Sequence, residues 1–194
     1  MPVIWRRILI FVASLLPLLF IAYKAVINQL GADPAKAIVL FTGTWVFYFL
    51  LMTLAVSPLK RIANQSWLMA HRRMLGLFTL FYAIAHLLAY LIFILGLDFS
   101  SFGSELVKRP YILLTIPAVI LLIALGVTST QGMMRRLGKN WVKLHKSIYL
   151  IAILAWLHVL LQVRSSYADA VLFGVLTALL LGIRVYWALR KRQK

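Results

Sequence analysis

Residues 74–95, MLGLFTLFYAIAHLLAYLIFIL, form an unbroken apolar run in which one ionisable side chain, His86, stands. At about 1.5 Å per residue a helix of this length crosses a hydrocarbon layer roughly 30 Å thick. Working outward, five more runs of comparable length are read at about residues 8–28, 37–56, 111–128, 143–163 and 170–189. The whole chain is 63% hydrophobic and 13% charged, too little polar side chain to cover a soluble globule of 194 residues. The expected fold class is therefore all-α, an integral membrane bundle of six transmembrane helices in one domain covering residues 1–194. Six spans use about 120 residues, so no connection is long enough for an independently folded soluble domain.

Charge sets the orientation. Sixteen of the 21 Lys and Arg fall on the side that holds both termini, and five on the other, which also carries all four acids, Asp33, Asp98, Glu105 and Asp169. Cations concentrate on the cytoplasmic side of a membrane, so both termini are expected inside. The net charge of +17 thereby becomes a topology signal, with attraction to anionic membrane lipid as a secondary effect. Nucleic-acid binding is set aside, because no basic, aromatic-interleaved soluble surface exists to carry it.

Other chemistries are narrowed by what the chain lacks. It contains no cysteine, which excludes disulfides, thiolate-held iron–sulfur clusters, a Cys nucleophile and covalent c-type haem attachment. It has no Gly-x-Gly and hence no dinucleotide fingerprint. The first apolar run follows Arg6 and Arg7 as a signal peptide would, but lacks a small-residue cleavage motif at its end and is read as a retained span. Pro58 and Pro110 are expected at span edges, Pro17 and Pro117 as kinks within spans, and Leu59–Met69 as a short amphipathic helix along the inner interface.

The informative residues are the histidines His71, His86, His145 and His158. Ionisable groups at bilayer depth are costly and usually face a bundle interior, serving transport, proton transfer or cofactor ligation. His86 lies roughly 18 Å, and His158 roughly 22 Å, from the inner ends of spans three and five. Two intramembrane histidines at matching depth suit bis-His ligation of a b-type haem, each imidazole giving one axial nitrogen to iron. The bland alternative is that each merely bonds a neighbouring helix. His145, 13 residues before His158, falls near the inner face and is a candidate for a second centre. On an ideal helix the two differ by about 140° in direction, which counts against a shared face unless span five is locally irregular or His145 precedes its regular part. His71, Arg72 and Arg73 are the nearby groups on span three. With Lys139, Lys143 and His145 they read either as positive-inside flanking charge or as a site for haem propionates, a flavin phosphate or a quinone headgroup.

Taken in order, Arg72-Arg73-Met74-Leu75-Gly76-Leu77, His86-Leu87-Leu88-Ala89-Tyr90, Arg109-Pro110-Tyr111, Thr128-Ser129-Thr130-Gln131, Leu137-Gly138-Lys139, Leu144-His145 with Tyr149, and His158 resemble the MsrQ family, formerly YedZ. These are haem-binding membrane subunits of bacterial MsrPQ methionine sulfoxide reductase systems, within the ferric-reductase-like transmembrane superfamily. The resemblance implies a multi-pass protein of the bacterial inner membrane that passes electrons from the quinone pool through one haem b or two. The acceptor is MsrP, a periplasmic molybdopterin enzyme that reduces methionine sulfoxide in oxidised envelope proteins. FMN is also associated with the family. By motif match His86, His145 and His158 carry over as iron ligands. Arg72 falls where two-haem relatives of the superfamily place a fourth histidine, and His71 beside it is a departure.

On this reading the chain is an electron-transfer subunit rather than the catalytic one. Its outer connections, Leu97 to Arg109 and Arg164 to Asp169, are the expected docking surface. Two other classes stay open: another membrane cytochrome b, such as a ferric reductase or a quinol-oxidising subunit, and a cofactor-free transporter or scaffold.

Overall fold

The computed structural model describes residues 3–163 and 167–192. Helix α1 covers Val3–Val26, α2 Pro34–Ala63, α3 Met69–Ala89, α4 Phe102–Lys108, α5 Thr115–Val127, α6 Gln131–Leu137, α7 Lys139–His145, α8 Ile148–Gln162 and α9 Ala168–Arg192. No strand occurs among the described residues. Six helical segments among them are long and apolar enough to cross a membrane: Val3–Val26, Pro34–Ala63, Ser66–Ile94, Pro110–Val127, Lys139–Gln162 and Ala168–Lys191. They match the six expected runs, with ends shifted by a few residues. In lipid every backbone N–H and C=O must be satisfied within the segment, which is why each run is helical. Large apolar side chains along α1, Leu9, Phe11, Val12, Leu16 and Leu19 among them, are exposed. Such a stripe is untenable against water and natural against acyl chains.

Local chemistry sets the ends. Asp33 caps α2 by accepting from the Lys36 N–H at 3.0 Å, and Pro34 occupies the first helical position, where its missing N–H costs nothing. Asn64 closes α2 in the left-handed region at φ 53°. Thr130 caps α6 by accepting from the Met133 N–H. A 3₁₀ turn over Pro110–Leu114 leads into α5, so Pro110 does start a helical segment. Helix α3 does not stop at Ala89 but loosens into a π-helical turn, Tyr90–Ile94.

Two expectations are corrected. Pro58 lies inside α2, which runs on to Ala63, so Leu59–Met69 is not a separate interfacial helix: it divides between the end of α2, Asn64 and Gln65, a 3₁₀ turn at Ser66–Leu68 and the start of α3. The reason is tertiary. Pro58 has no N–H to give the Leu54 carbonyl one turn back, and the Arg184 guanidinium of α9 donates to that oxygen instead. Pro17 lies inside α1, which runs on to Val26. There the Tyr82 hydroxyl of α3 donates to the Ser14 carbonyl at 2.8 Å and accepts from the Leu18 N–H at 3.2 Å, bridging the gap in the ladder.

Helix α2 is the most buried of the spans and packs chiefly against α3. Leu50 and Leu54 sit at the centre with Leu122, Leu125, Ile148, Ile151 and Ala152 of α5 and α8 around them. On one flank Phe49, Phe78 and Tyr82 meet α1, and on the other Phe47 stacks on Phe173 of α9 with ring centroids 4.5 Å apart. The bundle thus has one basic end, carrying both the α2–α3 connection and α6–α7, and one acidic end, carrying Asp33, Asp98, Glu105 and Asp169.

Candidate functional site

His86 on α3 and His158 on α8 are brought face to face, with ring centroids 6.4 Å apart and planes at 80°. Each ring is fixed from a different helix. His86 Nδ1 lies 2.9 Å from the Val39 carbonyl of α2 and 3.4 Å from Thr42 Oγ1. His158 Nδ1 lies 3.1 Å from the Tyr111 carbonyl in the turn before α5. A carbonyl only accepts, so each Nδ1 carries the proton and donates, leaving a lone pair on Nε2. By such a bond to the far ring nitrogen proteins orient metal-binding imidazoles and raise their basicity.

The close approach of α2 to His86 depends on Gly43. A Cβ there would stand 2.9 Å from His86 Cε1 and 3.1 Å from Nδ1. Tyr111 adds its ring edge-on to His158 at 5.4 Å. Neither Gly43 nor the two carbonyls was singled out from sequence as part of the site. A small residue within an apolar span is a signal for close helix contact, but backbone acceptors leave no sequence signature.

The pair fits a haem. Metal–imidazole bonds of about 2 Å on each side, with the half-width of each ring, separate two axial imidazole centroids by about 6 Å. Among the described residues no cluster of three or more His, Cys, Asp or Glu exists. The donor set is therefore two neutral imidazoles, which suits iron whose remaining positions are filled by a macrocycle and not a zinc ion needing three or four protein ligands.

The other predicted residues lie towards the basic end. His145 closes α7, and Lys146–Ser147 break the helix before α8 begins. It therefore precedes the regular part of its span, so ideal-helix angles do not relate its direction to that of His158. Its ring stacks on Trp141 at 3.9 Å, with Nδ1 3.1 Å from the Trp141 carbonyl, and it faces the Leu125 carbonyl and the charge of Arg72. Arg73 points outward and is exposed. His71 is buried at 2% exposure among different neighbours: Nδ1 is 3.0 Å from the Trp67 carbonyl and the ring stands edge-on to Trp67, over which Arg6 lies at 5.1 Å. Its Nε2 is buried without a hydrogen-bond partner among the described residues. His145 and His71 are thus not paired as His86 and His158 are.

Sequence reasoning counted Arg184 only as a flanking charge. It lies within a span, its guanidinium 5.5 Å from the Tyr149 ring, donating to the Leu180 and Leu54 carbonyls and within reach of the charge of Arg72. Of the expected docking connections, Leu97 to Arg109 forms an exposed cap containing α4, while Arg164, Ser165 and Ser166 lie outside the described residues.

Residues 42–156 match the model of the ferric reductase like transmembrane component family. The chain is 43% identical over 189 residues to a protein of Herminiimonas arsenicoxydans named protein-methionine-sulfoxide reductase heme-binding subunit MsrQ, covering 96% of this chain and 87% of that one. Proteins of the same name from Rhodospirillum rubrum and Xanthomonas campestris pv. campestris are 39% and 46% identical over 96% and 86% of this chain, and over 90% and 76% of their own lengths. No solved structure matches.

Proposed function

The chain belongs to the ferric reductase like transmembrane family and to the MsrQ subunits within it, and on that premise we propose that it holds haem b between His86 and His158 and carries electrons from the quinone pool to a periplasmic molybdopterin methionine sulfoxide reductase, MsrP. The observation that carries the reading is the 6.4 Å pair, each ring already tautomerised and aimed by a carbonyl of another element. When bound there, haem supplies reversible one-electron iron chemistry. His86 and His158 would be the two residues that hold it, and with both engaged the group would supply electron transfer rather than binding of oxygen or substrate. The apolar helices around them keep water from the ligand bonds.

Placement gives the direction. His86 is roughly 12 Å, and His158 roughly 6 Å, from the acidic ends of their spans. The cation excess of the opposite end supports placing that end in the cytoplasm and the acidic end in the periplasm of a bacterial inner membrane. Electrons therefore leave towards the cap at Leu97–Arg109, against which MsrP docks. At the basic end Arg72, Arg73 and Arg184 offer N–H donors to the headgroup of a quinol or the phosphate of FMN, His145 Nε2 offers a lone pair to a quinol hydroxyl, and this is the donor side. The same cations lie where anionic lipid headgroups gather.

The test uses the purified holoprotein, reduced by quinol and mixed with MsrP in stopped flow. Haem should reoxidise only when MsrP and methionine sulfoxide are both present. Reoxidation by ferric chelates at the same rate without MsrP would make it a ferric reductase instead.

A further inference from the structure

Beyond the histidine pair, the acidic end holds a second polar cluster. Two of the four buried side-chain polar atoms that lack a hydrogen-bond partner among the described residues are there, Tyr90 Oη and Glu105 Oε2. Tyr90 stands one turn beyond His86, at the point where α3 passes into the π-helical turn. Such turns re-aim the side chains that follow them and are frequent at functional sites. The ionisable neighbours whose charge reaches the Tyr90 hydroxyl are Glu105, Arg109 and Tyr111. Glu105 is already engaged: Arg109 Nε lies 3.0 Å from its Oε2, at an angle short of a hydrogen bond, and Lys108 Nζ lies 3.5 Å from Oε1. Tyr111, two residues after Arg109, supplies the carbonyl that orients His158.

Three features of this cluster ask for the same group. A buried phenol O–H without an acceptor has lost its water and gained nothing in return. Arg109, about one-third exposed, meets the carboxylate that the solvated Lys108 also touches, and it is the cation with capacity left for an anion. A guanidinium engaged at Nε still has its terminal N–H groups to offer. A carboxylate answers all three, accepting from Tyr90 and from Arg109 at once, while Glu105 Oε2, itself an acceptor, is served by Arg109 and not by that carboxylate. The site adjoins both histidines through chain neighbours, Tyr90 along α3 from His86 and Arg109 along the turn that holds His158. A substituent of whatever the two histidines share would therefore reach it.

Resting on the assignment of haem to that pair, we propose that Tyr90 and Arg109 bind a haem propionate and so fix the rotation of the macrocycle, with its carboxylate edge towards the acidic end. Both are positioning residues. Glu105 holds Arg109 in place from the other side, and the propionate edge comes to lie beneath the docking cap.

The experiment compares haem b with its dimethyl ester, which keeps the ring and loses the charge, in wild type, Tyr90→Phe and Arg109→Gln. The readout is the rate of haem loss to excess apomyoglobin, with the low-spin spectrum as control. With haem b each variant should keep the low-spin spectrum and lose haem about tenfold faster than wild type. With the dimethyl ester wild type and variants should lose the ligand at one common rate. An equal acceleration of both ligands would mean a structural effect only and would overturn the proposal, as would unchanged rates for Tyr90→Phe, which removes one oxygen and cannot unfold the cap. Arg109→Lys, retaining charge but not the fork, should fall between wild type and Arg109→Gln. Absence of a low-spin spectrum in wild type would instead overturn the haem assignment.

Discussion

All four histidines bond a backbone carbonyl through Nδ1, yet the two ends of the bundle do so in opposite ways. At the acidic end His86 and His158 each reach a carbonyl 47 residues away on another element. At the basic end His71 and His145 each bond the carbonyl four residues back in their own span, Trp67 in the 3₁₀ turn before α3 and Trp141 in α7. An isolated helix could orient the second kind, but only the assembled bundle orients the first. The acidic-end rings are thus preorganised with respect to each other, as two ligands of one metal must be, and the basic-end rings only with respect to their own helices. Their surroundings differ in the same sense: His145 faces Arg72, beside which Arg184 lies, a setting that repels a bare metal cation and favours an anion.

The largest effect should come from removing a member of the cross-helix pair. His86→Ala or His158→Ala should each abolish the low-spin b-type spectrum and bring the haem-to-protein ratio at that site close to zero, measured as the pyridine haemochrome. Full low-spin haem in both variants would break the comparison at its centre. Next in size is Gly43→Ala, because its methyl would stand 2.9 Å from His86 Cε1 and the ring or α2 must move. Haem occupancy should fall several-fold. Gly76→Ala, whose methyl meets only Thr53 Cγ2 at an ordinary 3.7 Å, should leave it unchanged.

How much of this contrast can be read without the structure depends on which atoms carry it. The six spans follow from apolar runs, and the depth match of His86 and His158 follows from counting residues along two helices of known rise. The charge division likewise anticipates which end holds the acids. None of the tertiary bonds is readable in that way. The Val39 and Tyr111 carbonyls are backbone atoms that any residue would supply. The passage of α2 through Pro58 depends on Arg184, a residue far along the chain, so local rules ended the helix too early. The break at Lys146–Ser147, which takes His145 out of register with α8, is marked by no Gly or Pro. Sequence periodicity thus locates side chains along an axis, and what aims them is supplied by partners it does not specify.

The basic end has a cross-helix bond of its own, made by an arginine, and a stability measurement can isolate it. Arg184→Leu should cost about 1–3 kcal/mol by leaving the Leu54 carbonyl buried and unpartnered. In the double variant combining Arg184→Leu with Pro58→Ala, the backbone one turn after Leu54 regains an N–H, and most of that loss should return. Thermal unfolding in detergent, followed by tryptophan fluorescence, reads the cycle. Equal losses in the single and double variants would show that Arg184 acts through its charge or through Tyr149 and not through the carbonyl that Pro58 frees.

The smallest effect is expected at His71, where two opposing terms nearly cancel. His71→Leu removes the hydrogen bond to the Trp67 carbonyl, worth about 1 kcal/mol net. It also removes Nε2, buried at a site with no partner, and so relieves a desolvation cost of about 1–3 kcal/mol. Leucine keeps most of the apolar contact with the face that also carries Phe78 and Tyr82. Stability should therefore stay at the wild-type value or rise by up to about 2 kcal/mol. Because a local bond orients His71 and none of its neighbours is another histidine, haem content and the low-spin spectrum should be those of wild type. Loss of haem in this variant, with stability intact, would make His71 a ligand after all and erase the distinction between the two ends.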